Sequence, residues 1–428
     1  MSIHPDAVTD YYGGGSTLAA LNYRSWFDCY GTALAGDGVG QTCPEGVSPI
    51  NANYTYEYVG IGSGAGQDNF LTQADNYGTV STPPWPCPGA VTTCLPYPRW
   101  DFSGSDALLS AGQESCYASG GVCDSTVTLA SGVQPVRGQY VQVPTLMTDI
   151  TMMYNPTGFT VPAGGLRLSR LSYCGIWEGA ILAWNDAGIT TDNGGTVVST
   201  DDITRVVRQD KSGTSFLLVN NLDTVCQSLS NPAYDWTGGA ASTLPSWPNG
   251  AGTSPIDNSG SGSSGVVSQV NSTAGSIGYV GPSYDAPIVA GGLPTIDLQN
   301  QYAITHSVTQ FEAPTSATTT AALKGVTPPA NPDPYDLGVL LPNPTNSGSY
   351  PIVGFTWLLI YQCYSTAAEH TAITDVVNWY ASSTDEPTNA DQILESQGLA
   401  PLTNKFKGAV HAIMPNVKKG PISGTCTI

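Results

Sequence analysis

Basic residues are scarce in this chain of 428 residues. Lysine and arginine together number 13, against 33 aspartate and glutamate residues, which gives a formal net charge of -20 at pH 7. A protein that binds nucleic acid or an anionic membrane needs a basic footprint, so this balance excludes both kinds of partner. The same charge opposes long-range attraction of a small anion. Any anion site in this protein must therefore act through local groups.

Long apolar runs are also missing. The longest, Ile352–Tyr364, is too short to cross a bilayer and contains Gln362, so we expect a buried strand and no membrane span. The residues Met1–Asp6 have neither a basic start nor an apolar core, and we expect no signal peptide there. If the protein is exported, this sequence is its processed form.

Motifs for catalysis and metal binding are absent as well. The four histidines are scattered, and the sequence contains no HExxH, GxSxG or CxxC motif. Residues 60–65 match the GxGxxA dinucleotide pattern, but no acidic residue ends a second strand at the expected distance. We therefore expect neither an enzyme nor a bound cofactor or metal.

Glycine, proline and cysteine, in contrast, are plentiful. The 49 glycines and 32 prolines indicate many turns, and an apolar fraction of 40% indicates a folded chain long enough for two or three domains. Ten cysteines at these spacings favour disulfides and an oxidising compartment, although buried free thiols are the alternative. The expected pairs are Cys29–Cys43, Cys87–Cys94, Cys116–Cys123 and, as guesses, Cys174–Cys226 and Cys363–Cys426.

A strand, a turn of small residues and a helix follow one another repeatedly. The pattern occurs at Gly13–Leu18, at Tyr54–Ala74 and at Trp100–Asp106. It predicts α/β layers with ligand contacts at the ends of the strands.

The segment Val206–Phe216 adds a cation to this pattern. Arg208 ends a short β run, and a turn containing Ser212 and Thr214 then opens an apolar helix. Unpaired N–H groups, hydroxyl groups and a guanidinium there would favour an anion. The alternative is an ordinary capped helix with a surface arginine.

The turn at Ser105–Asp106 supplies an acceptor instead of donors. Phosphate near neutral pH still carries a proton and can donate a hydrogen bond to a carboxylate, whereas sulfate cannot. A buried carboxylate among donors therefore predicts selection of phosphate over sulfate.

These segments, in this order, resemble the periplasmic phosphate-binding protein of the ABC phosphate transporter, including its DING-type relatives. The matching pieces are Gly13–Leu18, Val59–Gly66, Asp101–Ala107, Gln142–Thr145, Ile176–Asp186, Val207–Phe216, Gly275–Val280 and Pro351–Thr356. The resemblance implies a two-lobed α/β protein of the type II periplasmic-binding-protein (Venus-flytrap) fold, with hinge strands and long disulfide-stapled loops. Residues 1–142 and 308–428 would form the first lobe and residues 143–307 the second, with phosphate between them.

The resemblance also implies roles for particular residues. Arg208 would be the charged donor, oriented by Asp210 from behind, and Asp106 would accept the phosphate proton. The other phosphate-binding positions would be Thr17, Leu18, Ser63, Ser212, Gly213 and Thr214.

The implied function is high-affinity binding of inorganic phosphate in the periplasm or outside the cell, as the solute-binding component of phosphate uptake, with an ABC transporter permease as its partner. The family usually has proline two residues after the first threonine, whereas Leu18 is followed here by two alanines, and loops at 35–50, 79–99 and 237–265 are additional.

Two alternative functions stay open. One is an extracellular structural, adhesive or filament-forming protein that assembles with other copies of itself, and the other is a phosphatase-like hydrolase.

Overall fold

The computed structural model describes residues 9–33, 43, 49–72, 99–129, 137–248, 257–284, 292–329, 335–383 and 390–420. The strands in these ranges are β1 (Thr9–Gly15), β2 (Tyr54–Gly60), β3 (Phe102–Ser105), β4 (Gly121–Val122), β5 (Thr128–Leu129), β6 (Tyr140–Asp149), β7 (Thr151–Tyr154), β8 (Leu166–Leu168), β9 (Thr204–Arg208), β10 (Asp257–Gly260), β11 (Ser276–Val280), β12 (Ile296–Leu298), β13 (Val353–Tyr361), β14 (Cys363–Tyr364) and β15 (Lys418–Lys419). The helices are α1 (Ala20–Tyr30), α2 (Ser63–Thr72), α3 (Ala111–Ser119), α4 (Arg170–Glu178), α5 (Ala187–Asp192), α6 (Gly213–Val225), α7 (Gly262–Ser272), α8 (Gln301–His306), α9 (Ser316–Ala322), α10 (Ala367–Tyr380), α11 (Ala390–Ser396) and α12 (Asn404–Ile413).

A five-stranded sheet in the order β2-β1-β3-β13-β6 forms the centre of the first lobe. Strands β1, β2 and β3 are parallel, so their carboxyl ends meet at one edge, while β13 runs antiparallel to β3 and to β6. Aromatic rings of α1 cover this sheet: Phe27 lies 5.1 Å from Tyr56 and 5.4 Å from Phe102, between ring centroids. All nine residues of β13 are buried, which confirms the strand predicted from the apolar run.

A four-stranded sheet in the order β10-β9-β11-β7 forms the centre of the second lobe. Strands β10, β9 and β11 are parallel, and β7 is antiparallel to β11. Trp177 and Trp184 are 0% exposed in this lobe.

The chain crosses between the two sheets at one buried residue. The extended chain of residues 140–154 is divided at Ile150, because β6 ends at Asp149 in one sheet and β7 begins at Thr151 in the other. The backbone N–H of Ile150 donates to the carbonyl of Ile352 at 2.8 Å, just before β13. Two neighbouring segments therefore run from lobe to lobe, as a hinge requires.

Three of the expected disulfides lie within the described ranges: Cys29–Cys43, Cys116–Cys123 and Cys174–Cys226. Cys363 is also disulfide-bonded. Its expected partner Cys426 and the expected pair Cys87–Cys94 lie outside the described residues.

One of the additional loops contains regular structure. The stretch 237–265, expected to be a loop, includes β10 and the start of α7. Between α8 and β13 the chain forms α9, and a turn at Gly398, whose φ is 76°, separates α11 from α12. Among the residues that the structure describes, no helix combines the length and apolarity that crossing a membrane demands.

Candidate functional site

The predicted site residues follow strands of both sheets and come together between the lobes. Those contributed by the first lobe are Thr17, Leu18, Ser63 and Asp106. Those contributed by the second lobe are Arg208, Asp210, Ser212, Gly213 and Thr214. Both groups stand at the carboxyl ends of parallel strands, where α/β proteins bind ligands.

Asp106 is the buried acceptor of the site. Its residue is 1% exposed, and its Oδ1 accepts hydrogen bonds from the hydroxyls of Ser16 at 2.7 Å and Thr356 at 2.8 Å. Its Oδ2 accepts from Ser16 at 2.8 Å and, more weakly, from Ser63 at 3.4 Å. The Ser63 hydroxyl also accepts from the Asp106 backbone N–H at 3.0 Å. Three hydroxyls from distant segments thus fix one carboxylate in place.

The environment makes Asp106 less acidic than an ordinary aspartate. Burial raises its pKa to about 6, against hydrogen bonds from Ser16 and Thr356 and the charge of Arg208, which lower it. The carboxylate is consequently ionised at neutral pH and protonated in mild acid.

Arg208 is buried and paired with the carboxylate of Asp210. Its Nε donates to Oδ1 of Asp210 at 2.7 Å, and its Nη2 donates to Oδ2 of the same residue. Asp210 also accepts from the backbone N–H of Gly262 at 3.0 Å. Burial raises the pKa of Asp210, but the hydrogen bonds and charge of Arg208 outweigh burial and lower it overall. This bidentate pair orients the guanidinium, whose Nη1 lies 3.4 Å from the Thr214 hydroxyl.

The start of α6 lies against Ser63 and Asp106 of the first lobe. The Ser212 hydroxyl caps the helix by accepting from the Ser215 N–H at 3.1 Å, while the first N–H groups of a helix have no intrahelical acceptor. Gly213 is the point of closest approach, since a Cβ placed there would lie 2.2 Å from the Ser63 hydroxyl and 2.8 Å from the Asp106 Cβ. Only glycine lets the two lobes meet this closely.

Thr17 and Leu18 lie where the first lobe touches the second. The Thr17 hydroxyl is 3.1 Å from the Ser263 hydroxyl and accepts from the Ser263 N–H at 3.2 Å, and the Thr17 carbonyl accepts from Tyr284 at 2.8 Å. Leu18 is fully buried against the backbone of Gly281. Thr17 is therefore close to the other predicted residues, but here its hydroxyl pairs with a serine.

Sequence reasoning missed four residues of this site: Ser16, Thr356, Ser263 and Tyr284. Ser16 shares the turn of Thr17 and so had a local signal. Thr356, on β13, and Ser263, inside the stretch interpreted as a loop, reach the site only through the tertiary fold.

A cluster of aromatic rings supports Arg208 from the second lobe. The Tyr279 hydroxyl accepts from the Arg208 backbone N–H at 3.1 Å and is 2.6 Å from the Ser215 hydroxyl. The rings of Trp177 and Trp247 lie 5.4 and 5.9 Å from the Tyr279 ring.

The chemistry of these groups suits binding of one small oxyanion. One oriented guanidinium, several N–H and hydroxyl donors and one carboxylate converge, and a cleft of about 440 Å³ lined by Thr17, Gly60, Asp210, Gly262 and Tyr284, among others, opens beside them. Across the residues described, no group of three or more histidine, cysteine, aspartate or glutamate side chains is arranged to hold a metal ion.

Comparison with known proteins agrees with this geometry. The model of the PBP superfamily domain matches residues 37–384. The chain belongs to the PBP superfamily. Among its relatives, alkaline phosphatase L of Pseudomonas aeruginosa is 28% identical over 405 residues, covering 93% of this chain and 86% of that protein. A phosphate-binding protein of an unknown prokaryotic organism is 26% identical over 373 residues, and the match covers 83% of this chain and 87% of that protein.

Solved structures of the superfamily share the fold. A high-affinity periplasmic DING-type phosphate-binding protein, solved with phosphate bound at pH 8.5, is 25% identical with a TM-score of 0.64, and the match covers 94% of this chain and 93% of that one. The ancestral soluble variant of the human phosphate binding protein has a TM-score of 0.66 at 24% identity, over 94% and 93% of the two chains. The predicted resemblance and the two-lobed periplasmic-binding-protein fold are confirmed.

Proposed function

We propose that this protein binds inorganic phosphate with high affinity in the cleft between its lobes. The observation that carries the proposal is the meeting of Asp106 and Ser63 with the amino end of α6, beside an arginine that a carboxylate orients. A phosphate-binding relative and a phosphate-bound structural neighbour support the same ligand.

Each group has a distinct role in this proposal. Arg208 neutralises the anion, and the first N–H groups of α6, at Gly213 and Thr214, donate to its oxygens. Ser63 adds a hydroxyl donor. Asp106 accepts a hydrogen bond from the protonated oxygen that phosphate has and sulfate lacks, so sulfate is repelled.

The sequence-based division into residues 1–142 with 308–428 and residues 143–307 has to be shifted, because β6 continues in the first sheet to Asp149 and the return crossing lies at Ile352, just before β13. We propose that the first lobe comprises the chain up to Asp149 together with the chain from Val353 onward, and that the second lobe comprises the chain between these crossings. Closure about these crossings would bring Gly213 against Ser63 and enclose the ligand.

The proposed setting is the periplasm or the cell exterior, where the protein would deliver phosphate to an ABC transporter permease. The disulfides support an oxidising compartment. We propose that the protein is not an enzyme, although some relatives carry the name alkaline phosphatase L. Turnover of a chromogenic phosphate ester by the pure protein would contradict this.

Substituting Arg208 tests the ligand and the site together. We expect Arg208→Ala to weaken phosphate binding by about 2–5 kcal/mol, because it removes a buried charge partner of the anion. Isothermal titration calorimetry with inorganic phosphate measures this loss. Arg167→Ala is the matched control, since Arg167 lies over the ring of Phe311 outside the site. Equal affinities of the Arg208 variant and the unaltered protein would refute the assignment.

A further inference from the structure

Lys211 connects the two lobes through three hydrogen bonds. It lies between Arg208 and α6 on the second lobe, and its Nζ is 2.8 Å from Oδ2 of Asp68, 3.0 Å from Oδ2 of Asp124 and 2.5 Å from the Thr126 hydroxyl. All three partners belong to the first lobe: Asp68 is on α2, and Asp124 and Thr126 are in the turn between β4 and β5.

The first-lobe partners of Lys211 are already ordered by contacts of their own. Oδ1 of Asp124 accepts from the backbone N–H groups of Thr126 at 2.7 Å and Val127 at 3.0 Å. The disulfide Cys116–Cys123 fastens the preceding residue to α3. Asp68 lies on the helix that Ser63 begins, so it moves with the anion site. The first lobe therefore loses little conformational entropy when Lys211 docks.

The stem and backbone of Lys211 fit the first lobe as well. Its carbonyl accepts from the N–H of Gly64 at 3.1 Å, and a Cβ placed on Gly64 would lie 2.5 Å from the Cβ of Lys211. The Lys211 side chain is 13% exposed and the Asp68 and Asp124 side chains 17% and 23%, so the ion pairs are shielded from most solvent. Shielded ion pairs with preset geometry contribute more than exposed ones.

We propose that Lys211 is a positioning residue that latches the closed lobes and slows release of the bound anion. The latch rests on the proposed phosphate function, because it acts on the closed form that holds the ligand. Lys211 sits three residues after Arg208 and directly before Ser212, so opening the latch and withdrawing α6 from Ser63 are one movement. Its side chain holds first-lobe carboxylates, and thus it acts on the lifetime of the complex instead of on ligand recognition.

The test compares Lys211→Met, which keeps the apolar stem, with Lys324→Met, an exposed lysine outside the cleft. Release of labelled inorganic phosphate into excess unlabelled phosphate gives the dissociation rate, and rapid mixing gives the association rate. We expect dissociation to become roughly tenfold faster in Lys211→Met with association nearly unchanged, because most affinity differences within one site appear in the dissociation rate. Lys211→Arg should retain most of the slow release.

Asp124→Asn removes one of the two carboxylates that pair with Lys211 and should also accelerate release, although less than Lys211→Met does. It provides the decisive measurement if Lys211→Met does not fold. Unchanged release from both variants would overturn the latch while leaving phosphate binding intact. Failure of the unaltered protein to bind labelled phosphate would instead overturn the proposed function, so the two failures are distinguishable.

Discussion

At the scale of single residues, Asp106 decides which oxyanion the proposed site accepts. The three hydroxyls that donate to Asp106 fix its carboxylate, and burial raises its pKa to about 6. Above that pH the carboxylate is ionised and can accept a hydrogen bond from a protonated phosphate oxygen. Below it the carboxyl is neutral and can itself donate a hydrogen bond to a sulfate oxygen, so the discrimination is lost.

The preference for phosphate over sulfate should therefore depend on pH. We expect the ratio of phosphate to sulfate affinity to fall as the pH is lowered through about 6, and Asp106→Asn to show a low ratio without this step. Competition calorimetry between pH 5 and pH 8 measures both. Asp149→Asn is the control, because Asp149 is equally buried and burial raises its pKa to about 6, but it contacts Thr151 and Thr319 away from the site. Because phosphate itself titrates in this pH range in every variant, the comparison is with the unaltered protein, and an identical pH dependence of the ratio in Asp106→Asn would exclude the acceptor role.

Much of the site could be predicted from the sequence because its donors belong to short local motifs. Arg208 and Ser212 lie within five residues of one another, and a strand, a small-residue turn and a helix start define Ser63 and Asp106. Thr356 could not be found this way, because it is 250 residues from Asp106 in the sequence. It reaches Asp106 only through the antiparallel pairing of β13 with β3.

At the scale of elements, helix starts and short disulfides were predictable, whereas the ends of glycine- and serine-rich segments were not. A composition rich in glycine and serine predicts a loop in this segment. Gly262–Ser272 nevertheless forms a helix, in which Val266 and Val270 are buried. Packing against the second sheet thus overrides weak helix propensity there.

The disulfides should differ in their effect on stability. In the chain-entropy model, a longer closed loop constrains the unfolded chain more. Cys174–Cys226 closes a separation of 52 residues, so replacing both cysteines with alanine should lower the free energy of unfolding by about 4 kcal/mol. Cys116–Cys123 closes a separation of 7 residues, and the same replacement there should lower it by about 2 kcal/mol. Urea unfolding at 25 °C measures both free energies. A larger loss from the shorter loop would show that native contacts, not chain entropy, dominate.

At the scale of the whole molecule, the net charge of -20 opposes the approach of the proposed ligand. Binding must then rely on Arg208 and on dipoles that act only at short range, within a site closed by both lobes. This explains how an acidic protein can hold an anion without a basic surface.

Salt should speed the association of phosphate. Raising the ionic strength from about 0.01 M to about 0.15 M shortens the Debye length from about 30 Å to about 8 Å, which screens repulsion by distant carboxylates more than contacts inside the closed site. We expect the association rate in rapid mixing to rise at least about twofold. Sucrose, which does not screen charge, serves as the control for effects of added solute that do not depend on ionic strength. An association rate that falls with added salt would mean that the field of Arg208 dominates the encounter.

The ring cluster beside Arg208 has a practical consequence. Trp177 and Trp247 flank Tyr279, whose hydroxyl holds the backbone of the arginine. A change in the electric field at Arg208 is therefore separated from two indoles by a single tyrosine ring. We expect ligand uptake to change intrinsic tryptophan emission, which would serve as an optical signal without an attached dye.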